Sequence, residues 1–354
     1  MKIVTIIGAR PQFIKAAPVS KALRGAGLTE FLLHTGQHYD RMMSDVFFSE
    51  MGIPEPDLNI EIGSGSHGFQ TGHMLIRIEE VLIKESPDMV LVYGDTNSTL
   101  AGALAASKLH IPLAHVEAGL RSYNKIMPEE TNRIITDHCA DIRFCPTQTA
   151  VENLQKEGIT KGVHLVGDTM VDALMTFIEI AETKSTILQK MGLQSEGYYL
   201  ATVHRPYNTD NPDNLRAIIS AFKELDHKVV FPVHPRTRQK LGDIVGYSEL
   251  RSNPNLVFID PVGYLDMLVL EKNARMILTD SGGIQKEAFI FNVPCITLRP
   301  ETEWVETVAS GWNTVVGADK DRIVRATQQE IPSDSPEAIF GNGDASTKII
   351  DIIG

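Results

Sequence analysis

Cysteine is scarce in this chain: three in 354 residues, Cys139, Cys145 and Cys295, with no C-x-x-C pair. That excludes a disulfide framework and points to a reducing cytoplasm. Positive charge is also short, with 33 Lys+Arg against 45 Asp+Glu and a formal net charge of −12. A general nucleic-acid or membrane-surface binder needs a broad basic face, so neither fits. A small anionic ligand needs only a few local donors and is not excluded. No apolar run approaches the ~20 residues of a membrane helix. The N-terminal run Met1–Gly8 is too short for a signal peptide, and Arg10 breaks it.

What is present is a regular alternation. At ~150 residues per domain the length predicts two domains, and 43% apolar residues suffice for two cores. Short β-rich runs recur at Ile3–Ile7, Glu30–Thr35, Met89–Tyr93, Leu113–Val116, Ile142–Cys145 and Val163–Val166. The series continues at Tyr198–Val203, Lys228–Val233, Leu256–Ile259, Arg275–Thr279, Cys295–Leu298 and Thr314–Val316. Most are continuous apolar runs, as in strands buried on both faces of a parallel sheet. Helical patterns lie between them, for example Gly72–Lys84 with Met74, Leu75, Ile78, Val81 and Leu82 on one face. The reading is an α/β, doubly wound design. About twelve strands are too many for one comfortable open sheet. The expected division is 1–167 and 168–335, with a hinge in Gly167–Gly197 and a C-terminal helix at about 336–354, flanked by a loop containing Gly341-Asn342-Gly343, packing back on the first domain.

In open α/β sheets ligands gather at the carboxyl ends of strands, and the candidate residues sit there. The first strand ends in Gly8-Ala9-Arg10-Pro11, with Lys15 on the following helix. Arg10 beside a helix N-terminus suits a phosphate, although a surface Arg in a tight turn looks the same. Gly63-Ser64-Gly65-Ser66-His67-Gly68 fits G-x-G-x-x-G but is a decoy. The run before it is polar-interrupted, and the acid about 20 residues on, Asp88, precedes a strand instead of ending one. A flexible loop, or a lid, is the better reading.

Gly94-Asp95 and Val116-Glu117 each end a buried strand in an acid, and Pro128-Glu129-Glu130 opens a helix. Asp95 could be only an N-cap, and one of the two helix-start glutamates is expected to be structural. Three such regions at one sheet edge nevertheless offer a carboxylate cluster. In the second half, His204-Arg205 ends one strand and His234-Pro235-Arg236 the next. Thr279-Asp280-Ser281-Gly282-Gly283 runs from a strand into a helix. Small residues there let backbone N–H groups approach an anion, and Glu287, one turn on, is placed for a ribose diol. No G-x-x-x-x-G-K-[ST] and no H-E-x-x-H occurs, so no metal site is expected.

Together, Gly8-Ala9-Arg10-Pro11, Gly94-Asp95-Thr96, His115–Arg121, Pro128-Glu129-Glu130, Asn132-Arg133, His204-Arg205 and Asp280–Gly283 resemble the non-hydrolysing UDP-N-acetylglucosamine 2-epimerases. The resemblance implies two Rossmann-like domains of glycosyltransferase-B type, an active site in the interdomain cleft and a homodimer. It implies that UDP-GlcNAc and UDP-ManNAc interconvert by elimination of UDP to a 2-acetamidoglucal and re-addition, with no cofactor. It maps catalysis onto Asp95, Glu117, Glu129 and His204. It maps substrate binding onto Arg10, Lys15, Arg133, Met267, Ser281, Gly282, Gly283 and Glu287.

Departures bear on the sugar. The family's G-T-R-P-E reads Gly8-Ala9-Arg10-Pro11-Gln12, and its T-E-R-P-E reads Thr302-Glu303-Trp304-Val305-Glu306. A nucleotide-contacting Phe corresponds to Met267. Tyr39–Asp45 lacks the glutamines that help form the family's allosteric substrate site, which argues against allosteric activation. These changes resemble a branch acting on UDP-2,3-diacetamido-2,3-dideoxyglucuronic acid in surface-polysaccharide biosynthesis. Other readings are a hydrolysing epimerase, a glycosyltransferase, a non-catalytic sugar-nucleotide binder and, weakest, an NAD-dependent oxidoreductase.

Overall fold

The structure, a computed structural model, describes residues 1–37, 55–245, 253–330, 332 and 338–354. The Tyr39–Asp45 segment lies outside the described residues. The chain divides into two compact units, Met1–Thr176 with Ala338–Gly354, and Phe177–Glu337.

The first unit holds β1 (Lys2–Ile7), β2 (Thr29–His34), β3 (Leu58–Asn59), β4 (Met89–Tyr93), β5 (Leu113–Val116), β6 (Ile142–Cys145) and β7 (Val163–Leu165). They pair in parallel in the order β3-β2-β1-β4-β5-β6-β7. The second unit holds β8 (Tyr198–Thr202), β9 (Lys228–Pro232), β10 (Leu256–Ile259), β11 (Met276–Thr279), β12 (Cys295–Thr297) and β13 (Asn313–Val315). Their order is β10-β9-β8-β11-β12-β13, the same Rossmann-like winding as the first six strands. All twelve expected strands are present, with ends shifted by a residue at most. The thirteenth among the described residues, β3, is a two-residue exposed edge strand with no apolar run to announce it.

The central strands are apolar on both faces because helices cover both. Every residue of Met89–Tyr93 and of Tyr198–Thr202 is buried. Helix His67–Glu85 begins five residues before the expected Gly72, because Ser66 accepts the Phe69 amide as its N-cap. It buries Met74, Ile78, Val81 and Leu82, with Leu75 partly buried. The glycine-rich decoy thus leads from the edge strand into this helix. Helix Asn97–Lys108 lies close on the sheet through Ala101, Gly102, Ala103, Ala105 and Ala106. A Cβ at Gly102 would come within 3.0 Å of Ile6 and Val92 carbons. The second unit's core includes Phe222 and Phe231, edge to face at 6.1 Å.

The C-terminal helix is shorter than expected, Ala345–Ile353. The sequence before it cannot be helical, since Gly341 and Gly343 have φ of +91° and +79°. Asp172, on helix Thr169–Lys184, accepts the Ser346 amide at 2.8 Å and the Ala345 amide at 3.3 Å, satisfying two donors of the helix start. Ile349, Ile350 and Ile353 are buried, and the helix packs on helix Arg10–Gly25 of the same unit. No helix among the described residues is long and apolar enough to cross a membrane.

Gln12 explains one departure from the family motif. Its carboxamide oxygen accepts the Gly8 and Ala9 amides at 2.8 and 3.0 Å. Its nitrogen donates to the Tyr93 carbonyl at 2.8 Å and to Thr99 at 3.0 Å. A glutamate could not donate to Tyr93. Q12E is therefore expected to lower stability by about 1–3 kcal/mol through lost donation and an unpaired buried acceptor. Urea denaturation with an unchanged slope would measure it.

Candidate active site

Where strand order reverses, between β1 and β4 and again between β8 and β11, the loops diverge and leave a crevice at the carboxyl ends. In the first unit, Gly8 ends β1 so close to Thr35 and Ser98 that a Cβ there would overlap both hydroxyls. The backbone of Arg10 opens the next helix directly after it. Lys15, one turn along, is buried and pairs with Glu117.

Glu117 follows β5 and has φ of +71°. A non-glycine residue in this region costs of order 1–2 kcal/mol, and such strain concentrates at functional sites. Gly94, which follows the neighbouring β4 and has φ of +63°, lies against it. Its Cβ position would be 3.2 Å from the Glu117 carboxylate and 4.0 Å from Lys15 Nζ. Asp95 comes next and binds Arg133 at 2.9 Å (Nε) and 2.7 Å (Nη2), with its side chain 32% exposed. Its carboxylate is therefore oriented by a guanidinium and still reachable. Asn132 Nδ2 fixes the Asp95 carbonyl at 2.9 Å.

The adjacent glutamates of helix Pro128–Cys139 separate in role. Glu130 is buried and accepts from the Ser122 and Tyr123 amides at 2.9 and 2.8 Å, from the Ser122 hydroxyl at 3.0 Å and from Arg133 at 2.7 Å. Burial alone would raise its pKa. The amide donors and Arg133 outweigh burial and hold it below the ordinary carboxylate range. Glu130 is thus the structural member of the pair, and Glu129 is half-buried at the helix start.

In the second unit, fully buried Asp280 accepts the His204 amide at 3.1 Å, the Arg205 amide at 3.0 Å and Asn208 Nδ2 at 3.0 Å, pinning the loop after β8. His204 Nδ1 lies 3.4 Å from the same carboxylate. Burial is the main force lowering the His204 pKa. The charges of Arg205, His234 and Arg299 add to it, while Asp280 opposes. Ser281 caps helix Gly282–Ile290 by accepting the Ile284 amide at 3.5 Å. A Cβ at Gly282 would overlap the Glu303 carboxylate, which would have to move aside, whereas Gly283 has room. Glu287, one turn on, accepts from Tyr264 Oη at 3.4 Å. Met267 lies on helix Tyr264–Lys272, partly buried against the core. Trp304, where the family motif has arginine, is buried with Lys286 Nζ 4.2 Å from its ring centroid.

Sequence reading missed Arg299 and Tyr264. Arg299 follows directly on the run expected as Cys295–Leu298, so the strand-end rule applied once more would have found it. Tyr264 carried no signal, since it reaches Glu287 only in the folded unit.

These groups sit in a two-unit, Rossmann-like α/β fold, with carboxylates at one sheet's carboxyl edge and His204, Ser281 and Gly282 at the other's. A model of the family described as UDP-N-acetylglucosamine 2-epimerase matches residues 21–354. The chain belongs to that family, whose members are isomerases. It is 55% identical over its whole length to a protein of Methanococcus maripaludis named UDP-N-acetylglucosamine 2-epimerase homolog, covering 99% of it. It is 49% identical, again over its whole length and 99% of the relative, to the UDP-2,3-diacetamido-2,3-dideoxy-D-glucuronate 2-epimerase of Pseudomonas aeruginosa. Among solved structures, the Methanocaldococcus jannaschii UDP-GlcNAc 2-epimerase in complex with UDP-GlcNAc and UDP matches with a TM-score of 0.90 at 45% identity, covering 100% of this chain and 99% of that one.

Because its folded pKa is lowered, Glu130 contributes stability that is present above the ordinary carboxylate pKa of about 4.3 and is lost as pH falls through the lowered value. E130Q is expected to be less stable than wild type at pH 7. It should also show a flatter loss of stability below about pH 4. Denaturant midpoints measured across that range would check both.

Proposed function

We propose that the protein interconverts UDP-GlcNAc and UDP-ManNAc by eliminating UDP across C1–C2 and adding it back with protonation of C2 on the other face. The observation that carries this reading is the strained Glu117 beside Asp95 on adjacent strand ends, in a chain whose family members are 2-epimerases. The C2 hydrogen is not acidic. If UDP leaves C1 as the proton departs, the intermediate is a neutral glycal and no carbanion has to persist. Acid–base groups are then needed on both faces of the ring, and donors on the diphosphate.

Asp95, Glu117 and Glu129 take the proton-transfer roles in this proposal, with Arg133 orienting Asp95 and Lys15 holding Glu117. Arg10, Ser281, Gly282 and Gly283 take the diphosphate, and Glu287 the ribose, with Met267 beside the nucleotide. His204 lies among the charges of Arg205, His234 and Arg299, which hold its pKa down, and an arriving diphosphate would oppose them and draw a proton onto it. It then returns that proton to the leaving phosphate. The protein is proposed to act in the cytoplasm, where its three free thiols fit, and as a homodimer. Phe69, Ile76 and Ile83, all exposed at seven-residue spacing on helix His67–Glu85, support self-association.

A second reading keeps the chemistry and changes the sugar to UDP-2,3-diacetamido-2,3-dideoxyglucuronate. The whole-length 49% identity to an enzyme of that name favours it. Incubation with each sugar nucleotide in deuterated water, followed by proton NMR at C1 and C2, decides between them. The expected outcome is epimerisation of UDP-GlcNAc with solvent deuterium at C2. Product that keeps its original C2 hydrogen would overturn the elimination route. Turnover of the uronate alone would select the second sugar, and stoichiometric free sugar with UDP would mean hydrolysis.

D95N and E117Q are each expected to lower kcat by at least about 100-fold, the scale of lost acid–base catalysis, while UDP affinity stays within about threefold. Steady-state kinetics and calorimetric titration with UDP measure the two quantities.

A further inference from the structure

Asp137 is fully buried on helix Pro128–Cys139 and has no part in the proton transfers proposed above. Its partners nonetheless lie in the two turns that carry the proposed catalytic carboxylates. Oδ1 pairs with His115 Nδ1 at 2.7 Å, and His115 Nε2 reaches the Gly94 carbonyl at 2.8 Å. Both atoms facing the ring are oxygen acceptors, so the imidazole bridges them by donating at each end. Oδ2 accepts the Gly119 amide at 3.1 Å and Arg121 Nη1 at 2.7 Å. Arg121 is itself locked by a bidentate pair with Glu157 at 2.6 and 2.8 Å. One carboxylate therefore fixes the peptide just before Asp95 and the amide two residues after Glu117.

The turn held in this way resists its own geometry. Glu117 and Gly119 have φ of +71° and +81°, and a Cβ at Gly119 would overlap the Ala150 carbonyl. The Glu117 and Ala118 amides both donate to the Phe144 carbonyl, at 3.1 and 3.0 Å. The Gly119 amide completes the set on Asp137. A strained residue persists only where its surroundings over-determine it, and here three successive amides do so. Asp95 is held at two points from the same helix. Arg133 grips its carboxylate, and Asp137, four residues along the same helix face, holds the preceding peptide through His115.

We propose that Asp137, acting through His115 and the Gly119 amide, is the positioning residue that sets Asp95 and Glu117 against each other. This rests on the reading that those two carboxylates move the protons. Misplacement by about 1 Å can cost a reaction on the order of 100-fold without loss of binding. An asparagine at 137 would turn an amide N–H toward a neighbouring donor and break one arm. A glutamine at 115 would break only the bridge to Gly94.

The test compares wild type, D137N and H115Q for kcat, KM, UDP affinity and UDP stoichiometry. The expected result is a fall in kcat of about 30- to 100-fold in D137N and at least about 10-fold in H115Q. KM and UDP affinity should stay within about threefold, at one UDP per chain. Activity within about twofold of wild type in both folded variants would overturn the proposal. So would activity lost only in proportion to UDP stoichiometry, which would make the network a folding element alone. A wild-type protein that epimerises neither sugar nucleotide would instead remove the underlying reading, so the two failures are distinct.

Discussion

The hydrogen-bonded ladder of β1 between β2 and β4 is the constraint on which the first unit depends. Helices following β1 and β4 must leave toward opposite faces of the sheet, because successive parallel crossovers are right-handed and the strand order reverses there. The space between the two loops cannot be filled by either. Gly8 and Gln12 close its floor from one side, and Gly94, Asp95 and Glu117 rim it from the other. The ladder of β8 between β9 and β11 imposes the same geometry on His204 and Ser281. The strand-end groups are therefore placed by backbone pairing, and side chains only refine their aim.

That refinement is electrostatic, and the two units do it in opposite ways. In the first, ion pairs and triads link the charges of the proposed site and its surroundings: Lys15 with Glu117, Arg133 with Asp95 and Glu130, Arg121 with Asp137 and Glu157. Removing ions from water costs several kcal/mol each, which is tolerated only where geometry and further hydrogen bonds compensate. Asp137 is the clearest case. Burial alone would raise its carboxyl, yet His115 and Arg121 bring it below the usual range. In the second unit positive charges gather around His204, with Asp280 opposing them. An acidic protein thus gathers local positive charge where its sheet order opens a crevice.

Much of this was legible in the sequence because parallel strands buried on both faces leave continuous apolar runs, and the candidate turns follow them. Twelve strand positions and the strand-end acids emerge from that rule alone. What failed had physical causes. The two-residue β3 has no buried face to mark it. Pro336–Ile353 reads as a helix flanked by a loop at Gly341-Asn342-Gly343, and left-handed backbone at Gly341 and Gly343 puts the helix start at Ala345, later than about residue 336. Glu129 and Glu130 are equivalent in sequence, since a helix dipole favours both, and only the Ser122 and Tyr123 amides separate them. Lys15 reads as a candidate for the nucleotide, and its pairing with Glu117 emerges only when β1 and β5 are brought into one sheet. Long-range partners such as Tyr264 for Glu287 leave no local trace.

The return of the C-terminal helix has a consequence for how the chain is made. The first unit is discontinuous: the second is inserted between Thr176 and Ala338. Asp172 and helix Arg10–Gly25 gain their covering helix only from residues 345–353. A ribosome releases residues 1–176 first, yet that unit is completed only once residues 345–353 follow. The inserted unit, continuous in sequence, can close earlier. Order of synthesis and order of completion are therefore reversed, and removal of residues 345–353 would damage the unit whose strands are made first.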